Sequence, residues 1–171
     1  VTEAFVDIKE GAWYEGAVQY VYDNGLMSGS NGSFKPNKAV TRAMVVVILY
    51  GLEGSPEIAD DTACEVFGDV ERGKWYTDAI CWAYSNGIAS GNTRTLQFNA
   101  ENPVTREQLA TFIYRYAEYK DFDTTQVGDL SELLNVGKMN QYAREAVVWA
   151  VGAGLISGVK LMDDMGNISY D

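Results

Sequence analysis

The chain repeats itself, and the repetition limits the folds open to it. FVDI at 5–8, followed by WYEGAVQYVYDNGLMSG at 13–29, returns as FGDV at 67–70 followed by WYTDAICWAYSNGIASG at 75–91. Asp7 and Asp69, Trp13 and Trp75, Asn24 and Asn86, and Gly29 and Gly91 are each 62 residues apart. The second halves match at an offset of 64, with Phe34 opposite Phe98 and Thr41-Arg42 opposite Thr105-Arg106, so two extra residues fall in the loop between. A weaker third copy starts with GDL at 128–130, like GDV at 68–70. It continues as YAREAVVWAVGAGLISG at 142–158, with Trp149 placed 67 residues after Trp82. Small helical units of this kind cannot each bury an apolar face alone, so they must pack on one another.

Local signals give each unit a helix–loop–helix reading. Trp13, Ala17 and Tyr20 fall at helical spacing, as do Trp75, Ala79, Trp82 and Ala83. Asn24-Gly25 and Asn86-Gly87 close these helices, because glycine takes the left-handed position at little cost. Leu26, Ile88 and Leu155 follow the closing glycines and can pack back on the helix. A Gly- and Asn-rich loop leads to a second helix capped by Thr41 or Thr105. Thr105 and Gln108 have capping-box spacing, whereas the first unit has Met44 there. The β-branched run Val45-Val46-Val47-Ile48 would read as a strand in isolation. It is assigned to helix because its partner copy carries the helical stripe Leu109, Phe112, Ile113, Tyr116.

Charge narrows the function. With 13 Lys plus Arg against 24 Asp plus Glu, the net charge is −11, which argues against nucleic acid and anionic membranes. No apolar run, the one around Val45 to Leu49 included, approaches the roughly 20 residues that span a bilayer, so membrane insertion is not expected. The chain has no histidine and only Cys64 and Cys81, so neither a His-based nor a Cys-rich metal site is open to it, and no cofactor is expected. The two cysteines are either joined in an oxidising compartment or separate buried thiols.

Against this acidic background, the repeated Val-Thr-Arg step asks for a reason. An arginine in the first turn of a helix sits at the positive end of the helix dipole, where a cation is unfavourable. Either the guanidinium and the unpaired N–H groups together bind a carboxylate or phosphate, or the arginine clamps an internal acid such as Asp7 or Asp69. Trp13, Trp75, Trp82 and Trp149 are read on helical apolar faces, as core or as stacking platforms for a sugar. The Ser-Gly steps at 28–29, 90–91 and 157–158 are read as turn chemistry or as a hydroxyl beside bare backbone.

The ordered pattern F-x-D-[VI], W-Y, N-G-[LI], x-S-G, F, P and V-T-R, met twice, resembles the S-layer homology (SLH) domain. The resemblance implies an all-α fold of tandem helix–loop–helix repeats in a pseudo-threefold arrangement around a central helical bundle. The repeats would span 1–55, 63–120 and, incompletely, 126–171, packed as one unit. It also implies a non-catalytic module on the bacterial cell surface that anchors its parent protein to the cell wall. The ligand implied is a pyruvylated secondary cell wall polysaccharide, held in grooves between repeats. By position, Arg42 and Arg106 would meet the pyruvyl carboxylate. Asp7 and Asp69 would bond sugar hydroxyls or the loop. Ser28, Gly29, Ser90 and Gly91 would border a groove, and Trp82 and Trp149 would flank the sugar, with Tyr20 in the matching place.

Met44 and Gln108 stand where the family motif has Glu, and the third copy has no Thr-Arg helix. Apolar surface around Val147, Trp149 and Leu155 would then lack its usual cover, so self-association or another segment is expected to complete the repeat. A structural or protein-interaction module with a decayed sugar site is the alternative. A glycosidase built on Asp69 and Glu107 ranks last, since no spacing singles the pair out.

Overall fold

A computed structural model describes residues 3–58, 62–131, 136–157, 160–162 and 168–170. Helices dominate, in line with the all-α expectation: α1 (Glu15–Asp23), α2 (Arg42–Leu52), α3 (Thr77–Ser85), α4 (Arg106–Tyr119) and α5 (Arg144–Gly152). Short 3-10 turns occupy Ala63–Val66, Val136–Lys138 and Gln141–Ala143. The helices fall in two compact units, one of residues 1–85 and 90–103, the other of 86–89 and 104–171.

In the first unit α2 packs on α3, and α3 also meets the Ala63–Val66 turn. The β-branched run of α2 is helical because its spacing puts Val45, Val46 and Leu49 on one buried face. Burial of such side chains contributes about 1.5–3 kcal/mol each, which outweighs a propensity deficit of tenths of a kcal/mol per residue. Thr41 caps the helix by accepting from Met44 N. Gly54, at φ 75°, ends it in a Schellman pattern, with Gly54 N donating to Gly51 O and Ser55 N to Tyr50 O. Cys64 and Cys81 are joined, which ties the Ala63–Val66 turn to α3 and settles the open pairing.

In the second unit α4 packs on α5 and on the Gln141–Ala143 turn. Its core holds Ala110, Ala117, Ala143, Ala146, Val147, Trp149 and Ala150. The expected capping box at Thr105 is complete, with Gln108 N donating to Thr105 Oγ1 and Thr105 N to Gln108 Oε1. Gly25, Gly87 and Gly154 all have left-handed φ at the helix ends where the sequence put stops. After Gly25, Leu26 N donates to Val21 O; after Gly154, Leu155 N donates to Ala150 O.

Four expectations need correction. Trp13 and Trp75 do not lie on helical faces. They precede α1 and α3 in turns and are 91% and 58% exposed, each with its ring edge against the following tyrosine. The surface around Val147 and Trp149 does not lack cover, because α4 and the 123–126 segment bury both; only Leu155 stays exposed. The GDL of the third copy is not used as GDV is. Gly68 N donates to Leu96 O in a loop, whereas Gly128 N donates to Val148 O and its backbone lies directly against Gly152 of α5. Finally, a two-stranded antiparallel hairpin, β1 (Lys160–Met162) with β2 (Ile168–Tyr170), joins the helices.

That hairpin has precursors in the earlier repeats. After each Ser-Gly step the loop folds back antiparallel, at Ser30↔Ser33 and at Asn92↔Gln97. The first closes through Asn31-Gly32, both at positive φ, the signature of a tight I′ turn. A single bridge leaves no strand-like alternation in the sequence, so only the longest of the three reads as strands once folded.

Candidate functional site

The aspartates of the F-x-D motif hold the loop that follows each first helix. Asp7 accepts from Phe34 N at 2.8 Å and Lys35 N at 2.7 Å. Asp69 accepts from Phe98 N and Asn99 N, both at 2.7 Å. The Phe34 N–H bond is the main cause that holds the Asp7 carboxyl below its ordinary value; burial opposes it, and the Lys35 N–H bond adds to it. Of the two roles implied for these acids, the bond to the loop is the one formed.

The motif phenylalanine and the Ser-Gly step form one device. Gly29 and Gly91 sit at φ 65° and 59° over the rings of Phe5 and Phe67. A Cβ on Gly29 would come 2.5 Å from Phe5 Cε1 and 2.7 Å from Ser33 O. Gly91 has the same two neighbours by position, Phe67 and Gln97. Ser28 and Ser90 beside them are exposed. In the third copy Ser157 is described, while Gly158 lies outside the described residues.

Both arginines of the Val-Thr-Arg steps reach the loop of the next repeat. Arg42, half-buried, donates from Nε to Phe98 O at 2.8 Å, and its guanidinium lies 4.9 Å from the Phe98 ring centroid. Arg106 is exposed and donates to Ser157 O. The open first turn expected at α2 is not open. Arg42 N donates to Asn102 O, Ala43 N to Ala100 O, Met44 N to Thr41 Oγ1 and Val45 N to Thr41 O. A helix end set into protein must satisfy those donors, and the neighbouring loop supplies the carbonyls. Arg42 thus binds across repeats, at the loop that follows α3.

Trp82 and Trp149 are core. Trp82 is 5% exposed with its ring 5.6 Å from Tyr50, and Trp149 is 6% exposed with its ring 5.5 Å from Tyr114. Trp149 Nε1 donates to Gln126 Oε1 and Asp123 O. Tyr20, the matching residue of the first repeat, is 59% exposed. Each ring of the pair Trp82 and Trp149 is therefore fixed by a tyrosine of the helix that covers it.

The structural roles of two residues escaped the sequence reading. Phe98, fully buried, carries the carbonyl and the ring that receive Arg42; its match to Phe34 was visible, its role was not. Glu107 accepts from Asn140 N, Asn140 Nδ2 and Tyr142 OH, which locks the start of α4 to the Gln141–Ala143 turn. Its counterpart 64 residues earlier is the buried Ala43, so no repeat signal marks it. The carboxylates of Asp69 and Glu107 are thus each engaged in local scaffolding. Among the described residues, no cluster of Cys, Asp and Glu is arranged to hold a metal ion, and no helix is long and apolar enough to cross a membrane.

The S-layer homology domain model matches residues 4–43 and 66–110. The chain belongs to the S-layer homology family. The matched stretches run from the F-x-D aspartates to the Val-Thr-Arg steps, so they contain both arginines and the Phe98 that receives Arg42, while Ser157 lies outside them. The surface-layer 125 kDa protein of Lysinibacillus sphaericus is 31% identical over 146 residues, 83% of this chain and 11% of that protein. S-layer protein EA1 of Bacillus anthracis is 26% identical over 120 residues, 70% of this chain and 14% of that protein. An amylopullulanase of Thermoanaerobacterium thermosulfurigenes is 27% identical over 158 residues, 91% of this chain but only 8% of the enzyme. The chain thus spans a small fraction of these relatives. S-layer homology segments belong to cell-surface and cell-wall-associated proteins, and this chain is one of them.

Proposed function

We propose that the chain is a non-catalytic anchoring module that holds a larger surface protein to the bacterial cell wall by binding a pyruvylated secondary cell wall polysaccharide. The repeats are 1–55, 63–120 and 126–171, in a pseudo-threefold arrangement, with a ligand groove where one repeat meets the next. The observation that carries the reading is the position of the two arginines. Each stands at the head of a helix and reaches the loop of the following repeat, Arg42 at Phe98 and Arg106 at Ser157. In an acidic chain, a guanidinium held at such a junction is a local cationic anchor for a carboxylate, which it can grip through two oxygens. Arg106, the exposed one, is the stronger candidate.

Other members of the set frame the groove. Asp7 and Asp69 fix the loops, Gly29 and Gly91 let them turn, Ser28 and Ser90 border them, and Trp82 and Trp149 stiffen the wall. Membrane insertion, nucleic acid and a cofactor have no part in this account. A catalytic activity, where the parent protein has one, resides outside this module, as the small matched share of the amylopullulanase suggests.

A specific observation favours the second reading, an interaction module with a degenerate sugar site. The first-turn N–H groups of α2 are all taken by protein, and Arg42 Nε is bound to Phe98 O. Co-sedimentation with purified cell-wall sacculi separates the two. The anchoring reading predicts that the chain pellets with intact sacculi and stays in solution once their secondary polysaccharide has been extracted. Equal pelleting with both preparations, or none with either, contradicts it.

A further inference from the structure

The sequence holds three Asn-Gly steps, at 24–25, 31–32 and 86–87. Such a step carries its own chemistry. The glycine nitrogen can attack the side-chain carbonyl carbon of the asparagine, because glycine has no side chain to block the approach. The glycine amide and the asparagine side chain must both be free, and the backbone must let one swing onto the other. All three steps are exposed, so exposure does not rank them. Hydrogen bonding does.

The helix-end steps are committed. Gly25 N donates to Tyr22 O, Asn24 N donates to Tyr20 O, and Asn24 Nδ2 donates to the same Tyr20 O at 2.8 Å. Attack at Asn24 therefore requires the last turn of α1 to open. Asn86-Gly87 stands in the same place after α3, with Gly87 at φ 72° against 67° for Gly25. Asn31-Gly32 is placed differently. It forms the centre of the turn closed by Ser30 N to Ser33 O and Ser33 N to Ser30 O. The amide in the middle of such a turn takes no part in the closing bonds. Among the described residues, neither the Gly32 N–H nor the Asn31 side chain has a hydrogen-bond partner. Gly32 is held through its carbonyl, which accepts from Val6 N at 3.0 Å. The loop of the second repeat has no such step. It reads Asn92-Thr93-Arg94, and Asn92 Oδ1 already accepts from Arg94 N at 2.9 Å and Thr95 N at 3.0 Å. Thr93 also sets a β-branched side chain beside the amide that would attack.

We propose that Asn31-Gly32 is a self-modifying site, which converts to isoaspartate and aspartate while the chain is folded, and that the change is confined to the loop of the first repeat. Base takes the Gly32 amide proton, and the nitrogen bonds to the Asn31 side-chain carbonyl carbon. The bond from that carbon to the side-chain nitrogen breaks and ammonia leaves. Water then opens the cyclic imide at either carbonyl. One opening gives aspartate, and the other gives isoaspartate, with the main chain routed through the former side chain. Isoaspartate lengthens the main chain by one carbon and adds a carboxylate. A two-residue turn cannot absorb the extra atom, so the Ser30–Ser33 pairing and the bond from Val6 N to Gly32 O open. Val6 follows Phe5, whose ring lies against Gly29, so the change reaches the device that shapes this loop. The inference stands whether or not the loop borders a sugar groove.

The test compares the folded chain with the same chain unfolded in guanidinium chloride, both held in mildly alkaline buffer and sampled over days. Peptide mapping with electron-transfer fragmentation measures aspartate and isoaspartate at each Asn-Gly step. The inference predicts that Asn31 converts in the folded chain within tenfold of its rate in the unfolded chain, with isoaspartate in excess. Asn24 and Asn86 should be slowed at least tenfold by folding. Amide exchange at Val6 and over 30–33 should quicken as Asn31 converts. In an Asn31→Gln chain, where the ring to be closed is larger and forms far more slowly, that exchange should stay constant over the same period. Asn31 slowed by folding as much as Asn24, or conversion led by Asn24 or Asn86, overturns the inference. Unchanged exchange at Val6 in chains converted at Asn31 overturns the structural consequence drawn from it.

Discussion

Gly29→Ala tests how the loop beside the candidate groove is built. Two costs add. A left-handed φ of 65° costs an alanine about 1–2 kcal/mol relative to glycine. The new methyl would also stand 2.5 Å from Phe5 Cε1 and 2.7 Å from the backbone oxygen of Ser33. The ring can shift, but the carbonyl is fixed in the Ser30↔Ser33 turn, so overpacking adds about 1–3 kcal/mol. The total is about 2–5 kcal/mol. Gly25→Ala is the matched control, at φ 67° with nothing within 4 Å of its added Cβ, and it should cost only the backbone share. Urea denaturation followed by far-UV circular dichroism measures both, with the same pair repeated at Gly91 and Gly87. Gly29→Ala should exceed Gly25→Ala by about 1–3 kcal/mol. Equal losses at the two positions would refute the claim that the ring and carbonyl leave no room for a side chain.

Three further outcomes are expected. Met44→Glu should complete the box that Thr41 leaves half-made and stabilise the first unit by about 0.5–1 kcal/mol, read as a higher urea midpoint at unchanged slope. Cys64→Ser with Cys81→Ser, or reduction by dithiothreitol, should cost about 3 kcal/mol, since the bridge closes a loop with a sequence separation of 17. Asp7 ionises more readily in the fold than its ordinary value of 3.8, chiefly through the Phe34 N–H bond. A depressed carboxyl contributes stability that is full above the unfolded value and lost as pH falls through the folded one, so Asp7→Asn should flatten the acid limb of the stability–pH curve below about pH 4. A limb as steep as that of the unchanged chain would contradict that role.

The parts of this fold legible in the sequence are those written in a few adjacent residues. Asn24-Gly25 and Asn86-Gly87 stop helices, Thr41 and Thr105 start them, and the constant offset shows that the motifs belong to one repeated unit. The repeated Val-Thr-Arg step led to the arginines, and the family motif gave Asp7 and Asp69 two roles, toward sugar hydroxyls or the loop, of which the structure shows the bonds to the loop. What stayed hidden depends on which segments meet. Trp13 and Trp75 share helical spacing with Ala17 and Ala79, yet the helices begin after them, and no local residue marks that start. The covering of Trp149 by α4 was missed because the repeat suggested that a unit's own second helix roofs its first. The roof comes from the preceding repeat instead. That one shift leaves Tyr20 exposed instead of Trp149. Arg42 was read beside open N–H groups because a helix start leaves them open in isolation; the carbonyls of Ala100 and Asn102 that fill them lie nearly sixty residues downstream.

The most direct measurement of the anchoring account is a calorimetric titration with purified pyruvylated cell wall polysaccharide and with the same polymer after mild acid removal of its pyruvate. The unchanged chain, Arg42→Ala and Arg106→Ala are compared, each first shown to be folded by circular dichroism. The account predicts binding that requires the pyruvate and falls at least tenfold in Arg106→Ala, about 1.4 kcal/mol or more, consistent with the loss of a charge-assisted contact. Undiminished binding of the depyruvylated polymer, or no binding by the folded unchanged chain, would contradict it.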